Sequence, residues 1–441
     1  MKKTVLFGKE SACTEDPAGH DLRTTLVPSD VKAYLAAGFD VVVQSGLGQG
    51  IGYSDVQYEM EGARVETGPH CYADKDLVIK LKGPAPEEIA QLTPGTTLLT
   101  MAHLYCFPDR KQQLADRRAR VISMENVAKP NDPAPRFLDG IRAGSVPSRS
   151  ELGERPRVHV LDSADQHYVN GLQRALMRYG RAPLDVVRLS EDKEPAKAPA
   201  HHSADICVTA SGAFMRAADG TTVDLTSAAA SVGDDTGGLL AEEATRTTRA
   251  VGQTRQVGIA GARYGLGLYR KLHGRTPKVV VLGYGNVSQG AMELLRDEGV
   301  DFTVLGRDQT GPEQLPGWLG GAQLIINGAE TPGSSDYIIT NEHADHDIAV
   351  GSVVIDLIGG SPYRRSPVEP FLWTTFLPEI HFERNGRYFA GLWAWDMYYS
   401  MHDTTVNYSR MIKDIFTRSP RYAASLDDFV ADYAYAQQLG A

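Results

Sequence analysis

The chain has 441 residues, enough for two or three domains with substantial cores. Hydrophobic residues make up 42% and charged residues 23%, ordinary values for a soluble globular protein, and no apolar run approaches the length of a membrane span. The formal net charge of −10 argues against non-specific binding to nucleic acid or to an anionic membrane. Cys13, Cys71, Cys106 and Cys207 are too scattered for a metal-ligand spacing or a disulfide framework, so no metal is expected. The opening MKKTVLFGKES returns to charge at Lys9, too soon for a signal peptide, and a cytoplasmic location is expected.

In chain order, residues 4–7 read as a short strand, followed by a polar loop to Arg23. Pro28-Ser29 caps an amphipathic helix over 30–37, and 39–44 is the next strand. The glycine-rich stretch 45–58 ends at a helix N-cap, Ser54 or Asp55. Strands at 77–80 and 97–101 flank a helix at 86–91, and 121–124 is a further strand. This alternation predicts a parallel sheet covered by helices, a first α/β domain of about 125 residues.

The strongest local pattern lies at 278–307. Residues 279–282 form an apolar run without polar alternation, as in a fully buried parallel strand. Gly283, Gly285 and Gly290 follow, Asn286 and Val287 open a helix, and 302–305 completes a β-α-β unit within about 30 residues. Gly283 permits a tight turn, Gly285 lets a pyrophosphate approach the backbone, and the helix aims its free N–H groups at that anion. Ser288 stands at the third position of the strict glycine pattern, and the plain alternative to a dinucleotide site is an ordinary strand-to-helix turn. Where an NAD site usually carries an acidic residue, this chain has Gly306-Arg307. Pairing of Arg307 with a 2′-phosphate favours NADP. NAD is the alternative, with Arg307 a solvated charge and Asp308 a late ribose acceptor. Strands at 324–326 and 353–356 would bring Asn327, Gly328 and Asp356 near the nicotinamide. The aromatic segment 388–402, with Trp393, Trp395, Tyr398 and Tyr399, suits either a cleft wall or a core, and leads into a helix at 404–416.

Several motifs recur in one order: Leu22-Arg23-Thr24-Thr25-Leu26-Val27-Pro28, Gly46-Leu47-Gly48-Gln49-Gly50, Lys80-Leu81-Lys82 and Met101-Ala102-His103-Leu104. With the dinucleotide unit, Asn327-Gly328-Ala329, Pro332-Gly333 and Val354-Ile355-Asp356, the chain resembles the alanine dehydrogenase, transhydrogenase and saccharopine dehydrogenase superfamily over roughly three quarters of its length. The resemblance implies an α/β protein of two Rossmann-like domains around a cleft. It assigns Arg23 to gripping a substrate carboxylate, which suits a bidentate guanidinium. Lys82 would polarise the substrate carbonyl, with a lowered pKa beside other cations, and His103 would be the general acid/base. Glu125 would orient the lysine. Asp396-Met397 stands where alanine dehydrogenases have an Asn-Met-Pro turn touching the cofactor. Without the family, Arg23 and Lys82 read as surface charges and His103 as a structural histidine.

Three departures accompany the resemblance. The loop from Glu10 to Arg23 is longer than the family's, which loosens any role for Glu10. Leu357-Ile358-Gly359-Gly360 replaces the stretch that supplies a second aspartate in alanine dehydrogenases, suggesting a substrate other than alanine and pyruvate. More than a hundred residues lie between Glu125 and a helix expected at 241–252, where relatives have a short connection. Linkers at 130–135 and 144–157, strands at 157–161, 184–189 and 206–209, a helix at 166–179 and a loop at 190–203 make this an inserted α/β subdomain, either at the substrate site or as an oligomerisation surface. His201-His202 lacks the further ligands of a metal site.

The resulting expectation is a substrate domain at 1–130 completed by 375–441, an inserted subdomain at 131–238 and a dinucleotide domain at 239–374. The activity expected is an NADP- or NAD-linked oxidation of a secondary amine of an amino acid, or its reverse. Alanine-dehydrogenase-like deamination is the alternative within the class, and a non-redox nucleotide-binding subunit the alternative outside it. The partners expected are a small amino-acid substrate and, from the resemblance alone, further copies of the chain, with neither nucleic acid nor membrane.

Overall fold

The computed structural model describes residues 2–12, 16, 18–104, 106–127, 250–331, 337–361, 364–418 and 421–432, together with five strands between 157 and 224. Three sheets organise them.

The first sheet contains β1 (Lys3–Phe7), β2 (Phe39–Gln44), β3 (Arg64–Glu66), β4 (Leu77–Lys82), β5 (Thr97–Met101) and β6 (Arg120–Ser123). Its order is β3-β2-β1-β4-β5-β6 and every pairing is parallel. Strand residues alternate between two cores. Val5, Phe7, Val41, Val43 and Ile79 pack on one face with Val31 and Tyr34. Leu6, Val42, Val78 and Leu98 pack on the other with Ile89 and Leu114. Burial on both faces explains the continuous apolar runs. The order reverses between β1 and β4, and an open α/β sheet forms its crevice beyond such a reversal. The helix Met401–Arg418 returns to this sheet, burying Tyr408, Ile412 and Phe416 in the first core.

The strands of the intervening region are β7 (Arg157–Leu161), β8 (Asp185–Leu189), β9 (Ala204–Val208), β10 (Ala213–Ala217) and β11 (Thr222–Asp224), ordered β11-β10-β9-β7-β8. β7 pairs in parallel with β8 and β9, while β10 runs antiparallel to β9 and β11. The expected helix at 166–179, the loop at 190–203, nearly all of the two linkers and His201-His202 lie outside the described residues, as does most of the expected helix at 241–252. Its described end, residues 250–252, is not helical.

The third sheet, ordered β13-β12-β14-β15-β17-β16, contains β12 (Val279–Leu282), β13 (Phe302–Leu305), β14 (Leu324–Asn327), β15 (Val353–Asp356), β16 (His381–Arg384) and β17 (Arg387–Ala390). All its pairings are parallel except that of β16 with β17. Helices Thr254–His273 and Asn286–Asp297 cover one face, and Leu315 and Leu319 of helix Leu315–Gly321 pack on the other. The two covering helices touch backbone to backbone. A Cβ on Gly258 would lie 1.9 Å from Val287 O, and one on Gly290 would lie 2.1 Å from Arg255 O. Gly290 therefore serves helix packing.

Candidate active site

β4 carries the central residues. Its sequence LVIKLK is buried throughout, although two of its positions are lysines. Lys80 Nζ donates to Lys9 O at 2.6 Å, to Ser11 Oγ at 3.2 Å and to Glu88 Oε1 at 3.2 Å. Glu10, carried past the end of β1, accepts from the backbone N–H of Leu81 at 3.0 Å and of Lys82 at 3.2 Å. Burial pushes the Glu10 carboxyl up to about 7 against the pull of Lys80.

Lys82 Nζ lies 3.1 Å from Asp21 Oδ2 and 3.3 Å from Asp16 Oδ2, and 5.5 Å from the centroid of the Trp393 ring. Burial disfavours its charge, but Asp21, Glu10 and Asp16 outweigh burial and the repulsion of Arg23, so its pKa is raised. The sequence had suggested a lowered value from desolvation among cations. The loop aspartates reverse that sign.

Arg23 is 4% exposed, and its guanidinium is committed within the protein. Nε donates to Asp21 Oδ1 at 2.9 Å, Nη2 to Asp21 Oδ2 at 2.7 Å, and Nη1 to Asp396 Oδ2. Burial would raise the Asp21 pKa, but Arg23 and then Lys82 hold it well below the usual carboxylate range. The carboxylate ligand expected for Arg23 is thus supplied by the chain itself in this structure. Asp396, expected beside the cofactor, accepts from Arg23 and from Tyr408 OH at 3.0 Å, and Met397 is buried next to it.

His103 follows β5 in a left-handed conformation, φ +44°, and its side chain is 27% exposed. Its backbone N–H donates to Glu125 Oε1 at 2.8 Å, and its Nδ1 lies 3.7 Å from the same oxygen. Glu125 therefore supports His103 and makes no contact with Lys82 in the structure. Its Oε2 is buried without a hydrogen-bond partner. Trp393 meets the His103 ring edge-on at 6.2 Å, so this one indole contacts both Lys82 and His103. Trp395 belongs to the core, its Nε1 donating to Asp356 O at 2.8 Å.

A second group of candidates surrounds the end of β12. Gly283 has φ +78°, and a Cβ there would meet Ala329 at 3.0 Å. Gly285 is the N-cap of helix Asn286–Asp297, with no capping side chain and only Gly328 O, at 3.7 Å, near an added Cβ. The first helical bond there runs from Gln289 N to Gly285 O at 3.0 Å, leaving the N–H groups at 286–288 ahead of it, Val287 among them. Asn286 Oδ1 and Ser288 Oγ are buried without a hydrogen-bond partner. Gly328 is pressed against Ser288, whose Oγ would be 2.1 Å from an added Cβ. A half-buried glycine backbone, N–H groups ahead of the first helical bond and the unpaired Ser288 hydroxyl suit a phosphate. Arg307 is exposed just beyond β13 and begins the turn Arg307–Gln309.

Asn327 and Asp356 end adjacent strands, but their side chains serve the fold. Asn327 Nδ2 donates to Asp356 Oδ1 at 2.9 Å, and Asp356 also accepts from Ser366 Oγ, Ile358 N and Gly359 N. Burial raises the Asp356 pKa despite those bonds. Among the described residues no group of three or more His, Cys, Asp or Glu is arranged to hold a metal, and no helix is long and apolar enough to cross a membrane.

Sequence reasoning missed Asp16, Asp21 and the reach of Trp393. Asp21 had a readable signal, since positions two apart on an extended segment share a side, which puts it beside Arg23. Asp16 and Trp393 had none, because loop and domain packing bring them to Lys82.

Comparison with known proteins places these features in a family context. Residues 13–137 match the family model described as "Alanine dehydrogenase/PNT, N-terminal domain". The chain is 34% identical over 125 residues to an alanine dehydrogenase of Halomonas elongata, covering 28% of this chain and 34% of that protein. It is 34% identical over 107 residues to the alanine dehydrogenase of Bacillus subtilis, covering 24% and 28%. The chain thus spans about a third of the length of the curated relatives it matches. A solved L-alanine dehydrogenase aligns with 99% of this chain and 98% of its own at a TM-score of 0.58 and 15% identity. A transhydrogenase from Sinorhizobium meliloti aligns with 94% of each chain at 0.51 and 17%. Residues 13–137 are thus similar to the N-terminal domain of alanine dehydrogenases, and the chain as a whole shares the fold of the solved L-alanine dehydrogenase.

Proposed function

We propose that the protein is a nicotinamide-nucleotide-dependent oxidoreductase acting on the C–N bond of an amino compound. The observation that carries this reading is the placement of Lys82 at the end of β4 and of His103 just past the end of the adjacent β5, both beside Trp393 from the other end of the chain. The similarity of residues 13–137 to alanine dehydrogenases supports the same class.

In this reading the N–H groups at 286–288, with Gly283 and Gly285, hold the pyrophosphate, and Arg307 lies at the ribose end. The nicotinamide, when bound, supplies or accepts the hydride. Lys82 acts as a fixed ammonium, because Asp21 and Asp16 keep its proton on. It donates a hydrogen bond to the carbonyl or imine and stabilises charge developing there. Proton transfer falls to His103, whose ring stands near the Glu125 carboxylate. Trp393 narrows the access of water to both groups.

Two versions fit this chemistry. The curated relatives are named alanine dehydrogenases, which supports release of ammonia from a free amino acid. The absence of an acidic residue at 357–360 and the loop carboxylates around Lys82 favour a secondary-amine substrate, as in saccharopine dehydrogenases. Lys82→Met and His103→Ala should each lower turnover by ~10²-fold or more while leaving cofactor affinity within a few fold, read by steady-state absorbance and calorimetry. Near-full activity in either variant would show that the roles are misassigned.

A further inference from the structure

Asp21 engages Arg23 through both of its oxygens, at 2.9 and 2.7 Å, and touches Lys82 Nζ with one of them at 3.1 Å. A forked guanidinium contact completed by an ammonium is the geometry an incoming carboxylate would adopt on these two cations. We propose that Asp21 is a built-in carboxylate occupying the place of a substrate carboxylate between Arg23 and Lys82, so that the site selects an amine whose reacting carbon bears no free carboxylate. The inference rests on the assignment of Lys82 and His103 to the reaction site.

The surroundings point the same way. The Asp21 side chain is fully buried, so water does not weaken its hold on the two cations. Asp396 takes Nη1 of Arg23 and Asp16 takes a second contact with Lys82. Glu10 accepts from the backbone N–H of Lys82 at 3.2 Å. Asp21, Asp16 and Asp396 already outnumber Arg23 and Lys82, and an added carboxylate would enter a region compensated or negative. A neutral or ammonium-bearing group would meet no such barrier.

The test titrates the purified chain with sodium pyruvate and sodium oxalate by calorimetry, in the wild type and in Asp21→Asn. Wild type should bind both weakly, and Asp21→Asn, which keeps the shape and removes the charge, should bind them at least about tenfold more tightly. Equal affinity in the two proteins, or no gain in a variant folded by circular dichroism, overturns the proposal. Should Asp21→Asn fail to fold, Asp396→Asn decides, because it loosens Arg23 while leaving Asp21 in place. No gain is required there, and a gain comparable to tenfold contradicts the proposal. NADP binding is measured in the same samples. Its absence would count against the proposed oxidoreductase while leaving the comparison of anions intact.

Discussion

Lys82 and Glu10 are buried next to each other at the ends of adjacent strands, yet their environments move them in different ways. Aspartates keep Lys82 charged, whereas desolvation pushes Glu10 from 4.5 to about 7. A carboxyl that holds its proton more tightly when folded stabilises the protein below its unfolded pKa, and that stabilisation is lost as pH rises through the folded value. The window here runs from 4.5 to about 7. Wild type should therefore lose melting temperature between pH 5 and pH 8 relative to Glu10→Gln, whose profile should be flatter. Parallel profiles would show that Glu10 does not titrate in this range. Arg307 permits a second test. Arg307→Ala should weaken NADP binding by about tenfold and leave NAD binding nearly unchanged, as expected for one solvent-exposed charge on a 2′-phosphate. Equal losses for the two cofactors would remove the argument for NADP. The cations of the site were legible because they end strands or sit in motifs. Their carboxylate partners were not, because Asp16 lies in a loop and Asp396 arrives from 373 residues away.

Strands buried on both faces were the most readable elements. β2, β5, β12 and β15 run over the expected residues, because their largely apolar runs leave little choice of register, and β7 and the less buried β13 coincide with expectation as well. The three-residue edge strand β3 escaped notice, since it is short and charged. The hairpin β16–β17 did carry a signal. Asn385 and Gly386 both have positive φ, +50° and +75°, as a two-residue turn of this kind requires. The neighbouring aromatics drew attention away from that dipeptide. The helix Thr254–His273 was also missed, its glycines lowering helix propensity while allowing close packing. Gly258→Ala should displace Val287 and with it the first turn of the nucleotide helix, costing ~1–3 kcal/mol in stability and weakening cofactor binding. Gly267→Ala, in the same helix with nothing within 4 Å, should be neutral or stabilising. Similar effects of the two on melting temperature and cofactor affinity would refute the packing argument.

At the scale of the whole molecule, two contacts tie the first sheet to the segment following the third. Arg23 pairs with Asp396, and Trp393 covers Lys82 and His103. The helix Met401–Arg418 fastens the same segment to the first core, where Ser409 Oγ accepts from Val27 N at 3.0 Å and Lys413 pairs with Asp30 at 2.6 Å. Sequence pattern indicated the α/β class because strands and helices alternate. It did not indicate how the sheets meet, which depends on side chains distant in sequence. Placing a nucleotide end and a lysine–histidine pair on one molecule is the physical basis of the proposed chemistry. The most direct test follows absorbance of the reduced nicotinamide with the purified chain, NADP or NAD, and a panel of free and N-substituted amino acids and amines. Cofactor reduction with at least one of these amines, strongest where the reacting carbon lacks a free carboxylate, is the predicted result. Silence across the panel, with cofactor binding confirmed by calorimetry, would contradict an oxidoreductase and favour a nucleotide-binding subunit without redox turnover.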